Sequence, residues 1–146
     1  MSPVPAIVVD TREQRPWSFA DGVDVVRGTL ATGDYSLLGH ENEVAIERKS
    51  LEDFVGCVTR ERERFEREIE RLSALSLGVI VIEADIGDVW ARRYRSQVAP
   101  ASVVGSACAW TASGVACLFA GSREHAADFA LRLLRTWFTR RTPVAA

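Results

Sequence analysis

The chain has 146 residues, 47% of them hydrophobic and 26% charged, with a formal net charge of −2 and a pI near 5.7. That is enough apolar material for one core without disulfide or metal staples, and no apolar run reaches the roughly 18 to 20 residues that a membrane span needs. The slight acidic excess excludes a globally basic nucleic-acid binder, so any grip on phosphates has to come from a local patch.

The N-terminus, MSPVPAIVVD, lacks the basic start and long apolar stretch of a secretion signal, and a cytoplasmic protein is expected. Ala6 to Asp10 is a β-branched run after two prolines and reads as a buried first strand ending in the polar cluster Thr11, Arg12, Glu13. Val23 to Thr29, Asp34 to Leu38 and Val44 to Lys49 alternate around the turn residues Gly33 and Gly39 to Asn42, and are expected to form an antiparallel meander. Ser50 is an N-cap followed by the acids Glu52 and Asp53, which predicts a long helix from about Leu51 to Leu72. Leu77 to Glu83 is a nearly continuous apolar run, as in a central strand covered on both faces. A short helical piece around Ile86 to Tyr94, a small-residue helix from Pro100 to Ser113, a strand from Val115 to Ala120 and a last helix from Arg123 to Arg141 complete the chain. The late β-α-β-α order points to parallel strands, so the expected fold is α/β: a mixed central sheet, antiparallel at first and parallel later, flanked by helices. A single domain over residues 1–146 is expected, with no repeat or linker.

Chemistry concentrates near the strand ends. Asp34 and Glu47 are carboxylates on two neighbouring predicted strands, and Lys49 lies two residues beyond Glu47, hence on the same face, while Arg48 points the other way. Two converging carboxylates suit a hard cation such as Mg²⁺, which keeps several waters and takes its remaining ligands from a substrate phosphate. Of the 18 Lys and Arg residues only Lys49 is lysine, a compact donor where a planar guanidinium can be unsuitable; beside a metal it can hold or help deprotonate an attacking water and offset charge on phosphate oxygens. Asp10 offers a further acid, and Arg12 and Arg48 either bind phosphate or neutralise these acids. The competing reading is a set of surface salt bridges at strand ends, of small energetic consequence.

The segment Gly33-Asp34-Tyr35, followed by Glu47-Arg48-Lys49-Ser50-Leu51-Glu52-Asp53, resembles the G-D-x(n)-E-R-K-x(3)-D signature of the XPF-type structure-specific endonucleases, and Val8 to Glu13 (VVDTRE) is similar to that family's strand-ending D-x-R-E. The order of elements through Ala120 resembles its restriction-endonuclease-like nuclease domain, of PD-(D/E)XK type. The resemblance implies metal ligation by Asp34 and Glu47, a catalytic lysine in Lys49, supporting active-site roles for Asp10, Arg48 and Asp53, Mg²⁺ or Mn²⁺ as cofactor, and hydrolysis of branched, flap or junction DNA to 5′-phosphate and 3′-hydroxyl ends in repair or recombination, at the nucleoid if the source is bacterial. Many members continue into a tandem helix-hairpin-helix module that grips DNA. No such module is expected within residues 1–146, which makes a DNA-gripping partner protein one expectation. The alternative to an enzyme is a non-catalytic DNA-binding or scaffold subunit of a nuclease complex, and the intact acids and lysine argue against it.

Other features read as structural. Arg60 to Arg71 (RERERFEREIER) interleaves arginine with glutamate and predicts an exposed helix with Phe65, Ile69 and Leu72 as its buried stripe; Arg60 and Arg64 are the members expected to reach DNA phosphate. His40 and His125 are expected at the surface, and Cys57, Cys108 and Cys117, with no C-x-x-C pair, as core filler. The final helix carries a wide apolar stripe ending in Trp137 and Phe138, where an exposed aromatic end would suit a homodimer.

Overall fold

In the computed structural model, which describes residues 3–141, six strands form one mixed sheet in the order β2-β1-β3-β4-β5-β6. Strand β1 is Ile7–Asp10, β2 Val25–Gly28, β3 Tyr35–Leu37, β4 Val44–Lys49, β5 Leu77–Ile82 and β6 Ala116–Phe119. The helices are α1 (Leu51–Val58), α2 (Arg62–Ser73), α3 (Ile86–Trp90), α4 (Pro100–Ala112) and α5 (Arg123–Arg141). Pairing is antiparallel from β1 through β3 to β4, then parallel through β5 to β6, as the order of elements predicts. Among the described residues no helix is long and apolar enough to cross a membrane.

Two cores sandwich the sheet. On one face Phe54, Phe65, Leu72, Ile80 and Ile82 pack with α1, α2 and α4. On the other, Val9, Tyr35, Leu37, Ile46, Val81 and Leu134 pack under α5. Strand periodicity sorts the residues, with alternate side chains of β4 and β5 entering opposite cores.

Several expectations are corrected. The second predicted strand is not part of a meander: β2 runs parallel to β1 at the sheet edge, with Ile7 opposite Val25. Its side chains are mostly exposed, so nothing in its pattern specified a partner, and β1 is left free to pair directly with β3. The long predicted helix is two helices. Its apolar phase runs straight through the junction, but at Thr59 the side-chain hydroxyl donates to Val55 O at 2.9 Å and the backbone leaves helical geometry, a local competition that side-chain periodicity does not report. At the aromatic end of α5, Phe138 is buried and Trp137 half-buried, and His40 stands edge-on to Trp137 and Phe138 with ring centroids 5.6 and 5.5 Å away. His40 is thus half-buried against α5 rather than free at the surface. Cys108 is exposed on α4 rather than in the core.

Helix α2 docks so closely on β5 that only glycine fits at position 78. A Cβ there stands 2.3 Å from Leu72 O, and backbone atoms cannot swing aside as a side chain can. Gly78→Ala is expected to destabilise the protein by about 2 kcal/mol or more, read from the midpoint of urea unfolding.

Candidate active site

The antiparallel register that sets Tyr35 opposite Ile46 sets Asp34, one position earlier, opposite Glu47. Two hydrogen bonds hold that junction, from Asp34 N to Ile46 O at 2.8 Å and from Arg48 N to Asp34 Oδ2 at 2.8 Å. On the other side Asp10 N donates to Asp34 O at 2.9 Å, which aligns β1. Asp10, Asp34 and Glu47 therefore form a row across three strands, with Lys49 two residues past Glu47, and all four line one cleft of about 580 Å³. Gly33 makes the entry to β3 possible: its φ is +81°, and a Cβ would meet the Ala45 Cβ at 2.8 Å.

Electrostatics in the cleft are tense. Burial and the facing carboxylate of Asp34 push Glu47 up to about 8; burial pushes Asp34 up to about 6, against the hydrogen bond from Arg48. Lys49 answers both. Burial works against its ammonium, yet Glu47 and Asp34 outweigh that and hold its pKa above the ordinary lysine value, with Nζ 3.5 Å from Glu47 Oε1 and 5.5 Å from the Phe65 ring centroid. The single lysine is thus a cation at neutral pH.

Asp10 differs from its neighbours. Burial opposes its charge, but the Arg12 guanidinium and the N–H groups of Leu30 and Arg12 prevail and lower its pKa. Arg12 Nε donates to Asp10 Oδ2 at 2.7 Å and Arg12 Nη2 to Leu30 O at 2.9 Å. Asp10 is thus a tied carboxylate at the cleft wall, and Arg12 remains largely exposed at the rim.

Arg48 faces the opposite core. Its Nε donates to Glu83 Oε1 at 3.0 Å and its Nη1 to Glu13 Oε2 at 3.2 Å and Arg15 O at 2.6 Å. Trp17 Nε1 donates to Glu83 Oε2 at 3.0 Å, and the Tyr35 hydroxyl accepts from Trp17 N at 2.8 Å and donates to Glu13 Oε2 at 3.3 Å. Arg48 is thus paired with two acids in the structure. This network buttresses β4 from behind.

Asp53 does not join the row. Its backbone N–H completes the cap of α1 on Ser50 Oγ at 3.1 Å, and its side chain lines an adjoining recess with Arg48 and Glu83. Arg64 reaches the cleft, whereas Arg60 lines a separate recess with Glu52, Thr59 and Arg95. The structure adds Phe65, Glu68 and Arg71 to the cleft wall and Glu83 to the rear network. The periodicity of α2 could have flagged Glu68, which lies one turn from Phe65 and Leu72; nothing in the sequence linked Glu83 to Arg48.

No group of three or more His, Cys, Asp or Glu side chains gathers in metal-binding geometry among the described residues. The donors present are the two carboxylates of Asp34 and Glu47, oxygen ligands with raised pKa values that a divalent cation relieves. Such a sparse set fits an ion like Mg²⁺, which keeps waters and accepts substrate oxygens, and does not fit zinc.

A mixed sheet presenting two acids and a lysine in a row is the core of a restriction-endonuclease-like nuclease domain. The ERCC4 domain model matches residues 9–133, and the chain belongs to that family. Its fold is similar to that of XPF from Aeropyrum pernix, with a TM-score of 0.73 and 22% identity, covering 97% of this chain and 66% of that one. Against XPF from Aeropyrum pernix in complex with DNA the TM-score is 0.69 and the identity 24%, covering 97% and 68%. The chain thus spans about two thirds of the length of those proteins. No curated protein of assigned function matches its sequence.

The strained acids give a pH signature. Folded Glu47 keeps its proton up to about 8, whereas its ordinary value is 4.5; Asp34 behaves likewise between 3.8 and about 6. Through those windows the folded state binds more protons than the unfolded one, so stability falls as pH rises and levels off above them. In chelator, Glu47→Gln is expected to be more stable than the parent above pH 8 by about 1 kcal/mol or more, each pKa unit being worth about 1.4 kcal/mol. The two proteins converge below about pH 4.5, where Glu47 is protonated in both states. Thermal melts across pH read this directly.

Proposed function

We propose that the chain is a divalent-metal-dependent DNA endonuclease that hydrolyses phosphodiester bonds in branched, flap or junction DNA, in repair or recombination. The observation that carries this reading is the convergence of Asp34, Glu47 and the lone lysine on one sheet face, with both acids held against their charge. Membership of the ERCC4 domain family supports it, as does the XPF of similar fold that occurs in complex with DNA.

In this mechanism Asp34 and Glu47 would hold a Mg²⁺ or Mn²⁺ ion, which would supply charge neutralisation at the scissile phosphate and a lowered pKa for water. Lys49, already protonated, donates hydrogen bonds to the attacking water or to a non-bridging oxygen, stabilising the negative charge that gathers there. It does not serve as the base. Water adds its oxygen to phosphorus and gives up a proton to bulk solvent, the P–O3′ bond breaks, and the 3′ oxygen takes up a proton from solvent. Asp10 and Arg12 keep the neighbouring strand end in place, and Arg48 anchors β4 from the other face through Glu83 and Glu13.

Labelled flap, fork and linear DNA, with RNA in parallel, incubated with Mg²⁺, Mn²⁺ or chelator, tests the reading. Metal-dependent cleavage is expected from the parent, and at least a roughly 100-fold slower cut from Lys49→Ala, the scale of losing a preorganised charge contact. Full activity in Lys49→Ala contradicts the mechanism. Binding without any metal-dependent cut identifies a scaffold subunit instead.

A further inference from the structure

On the outer side of α1, away from the acidic cleft, lies a recess of about 350 Å³ lined by Glu52, Gly56, Thr59, Arg60, Arg95 and Ser96. Glu52 Oε1 accepts the backbone N–H of Arg95 at 2.7 Å, tying the loop between α3 and α4 to the first turn of α1, three residues after Lys49. Among the described residues, Arg60, Arg92 and Arg95 have no carboxylate within ion-pair distance, whereas Arg62, Arg64, Arg67 and Arg71 of α2 all pair with glutamates. The loop is also strained. Arg92, with φ of 56°, is the only non-glycine described residue in the left-handed region. Its N–H donates to Val89 O at 3.0 Å and that of Arg93 to Asp88 O at 3.0 Å, the helix-ending arrangement that glycine normally fills. An arginine held there at conformational cost points to a use for its side chain.

We propose that this recess and the arginines of its loop bind the phosphodiester backbone of DNA as a second contact, separate from the cleft. The proposal rests on the reading of the protein as a DNA endonuclease and names where the substrate is held. A chain of net charge −2 cannot hold DNA by its overall field, so affinity requires local cations whose charge is not already spent on neighbouring acids. Arg60 and Arg95 meet that condition across one concavity, and Arg92 stands three residues away in the same loop. Helix α1 sets the spacing: Leu51 to Val58 spans about 10 Å along its axis at roughly 1.5 Å per residue, and Arg60 follows just beyond its end. A strand crossing the cleft therefore meets the recess a few nucleotides from the bond that is cut.

The test measures binding of the whole chain to a labelled duplex-containing fork in chelator over a range of salt concentrations, with cleavage of the same DNA followed in Mg²⁺. Replacing both Arg60→Gln and Arg95→Gln is expected to weaken binding about tenfold or more at fixed salt. It should also flatten the slope of log affinity against log salt by about 2, each phosphate contact contributing roughly 0.9. Arg92→Gly is expected to weaken binding while its melting temperature stays level or rises, a pairing that a purely structural role does not produce. Unchanged affinity and slope in the double variant overturns the recess as a site even when the parent cuts DNA. A parent that binds but does not cut, with the slope still reduced in the variant, leaves the recess standing and overturns the nuclease reading. Failure of the parent to bind DNA overturns both.

Discussion

The pairing of β3 with β4 in a single register is the constraint on which the site depends. Tyr35, Leu37, Val44 and Ile46 are all 0% exposed, and a slip of one residue would turn these side chains towards the acid row and carry Asp34 and Glu47 into the apolar layer under α5. Burial of those four residues is worth several kcal/mol at roughly 1.5–3 kcal/mol for a large apolar side chain. That energy holds together two carboxylates that, left to themselves, would separate or protonate. The raised pKa values of the pair are the stored cost, placed where a cation and a phosphate can relieve it.

Strand β4 serves the site with both of its faces. Glu47 and Lys49 meet the cleft, while Arg48, between them, reaches Glu83 and Glu13 and lies 5.6 Å from the centroid of Trp17. Trp17 in turn stacks on Tyr35 with centroids 4.5 Å apart, so the rear network ties the loop after β1, the start of β3 and the ends of β4 and β5 into one rigid body. Positioning of this kind is what phosphoryl chemistry asks of a protein, because most of its catalytic power is geometry and fixed charge. The consecutive residues Glu47, Arg48 and Lys49 therefore divide into a pair facing the cleft and an anchor behind it.

What was legible in the sequence follows from how local its cause is. Helix α5 spans Arg123–Arg141 as predicted, because a sustained apolar stripe reports burial directly. The sharing of a face by Glu47 and Lys49 follows from strand periodicity alone. The nuclease class needed the longer signature from Gly33 to Asp53. The partner of β2 was hidden because an exposed edge strand carries no pattern that selects its neighbour, and the break at Thr59 because a hydroxyl competing for one carbonyl leaves the apolar phase intact. Glu83 lies at the end of an apolar strand, and only the fold brings it to Arg48 and Trp17. Asp53, implied as a supporting residue by the resemblance alone, lies in the adjoining recess with Arg48 and Glu83, a direction that linear spacing does not encode.

The central claim is that Asp34 and Glu47 together bind a divalent cation beside Lys49. Crystals soaked in Mn²⁺ and measured at its absorption edge test it most directly. The account predicts an anomalous peak within bonding distance of one oxygen of each carboxylate, lost in Asp34→Asn. Ordered crystals with no peak between Asp34 and Glu47, or with manganese bound only at other acids, would contradict it.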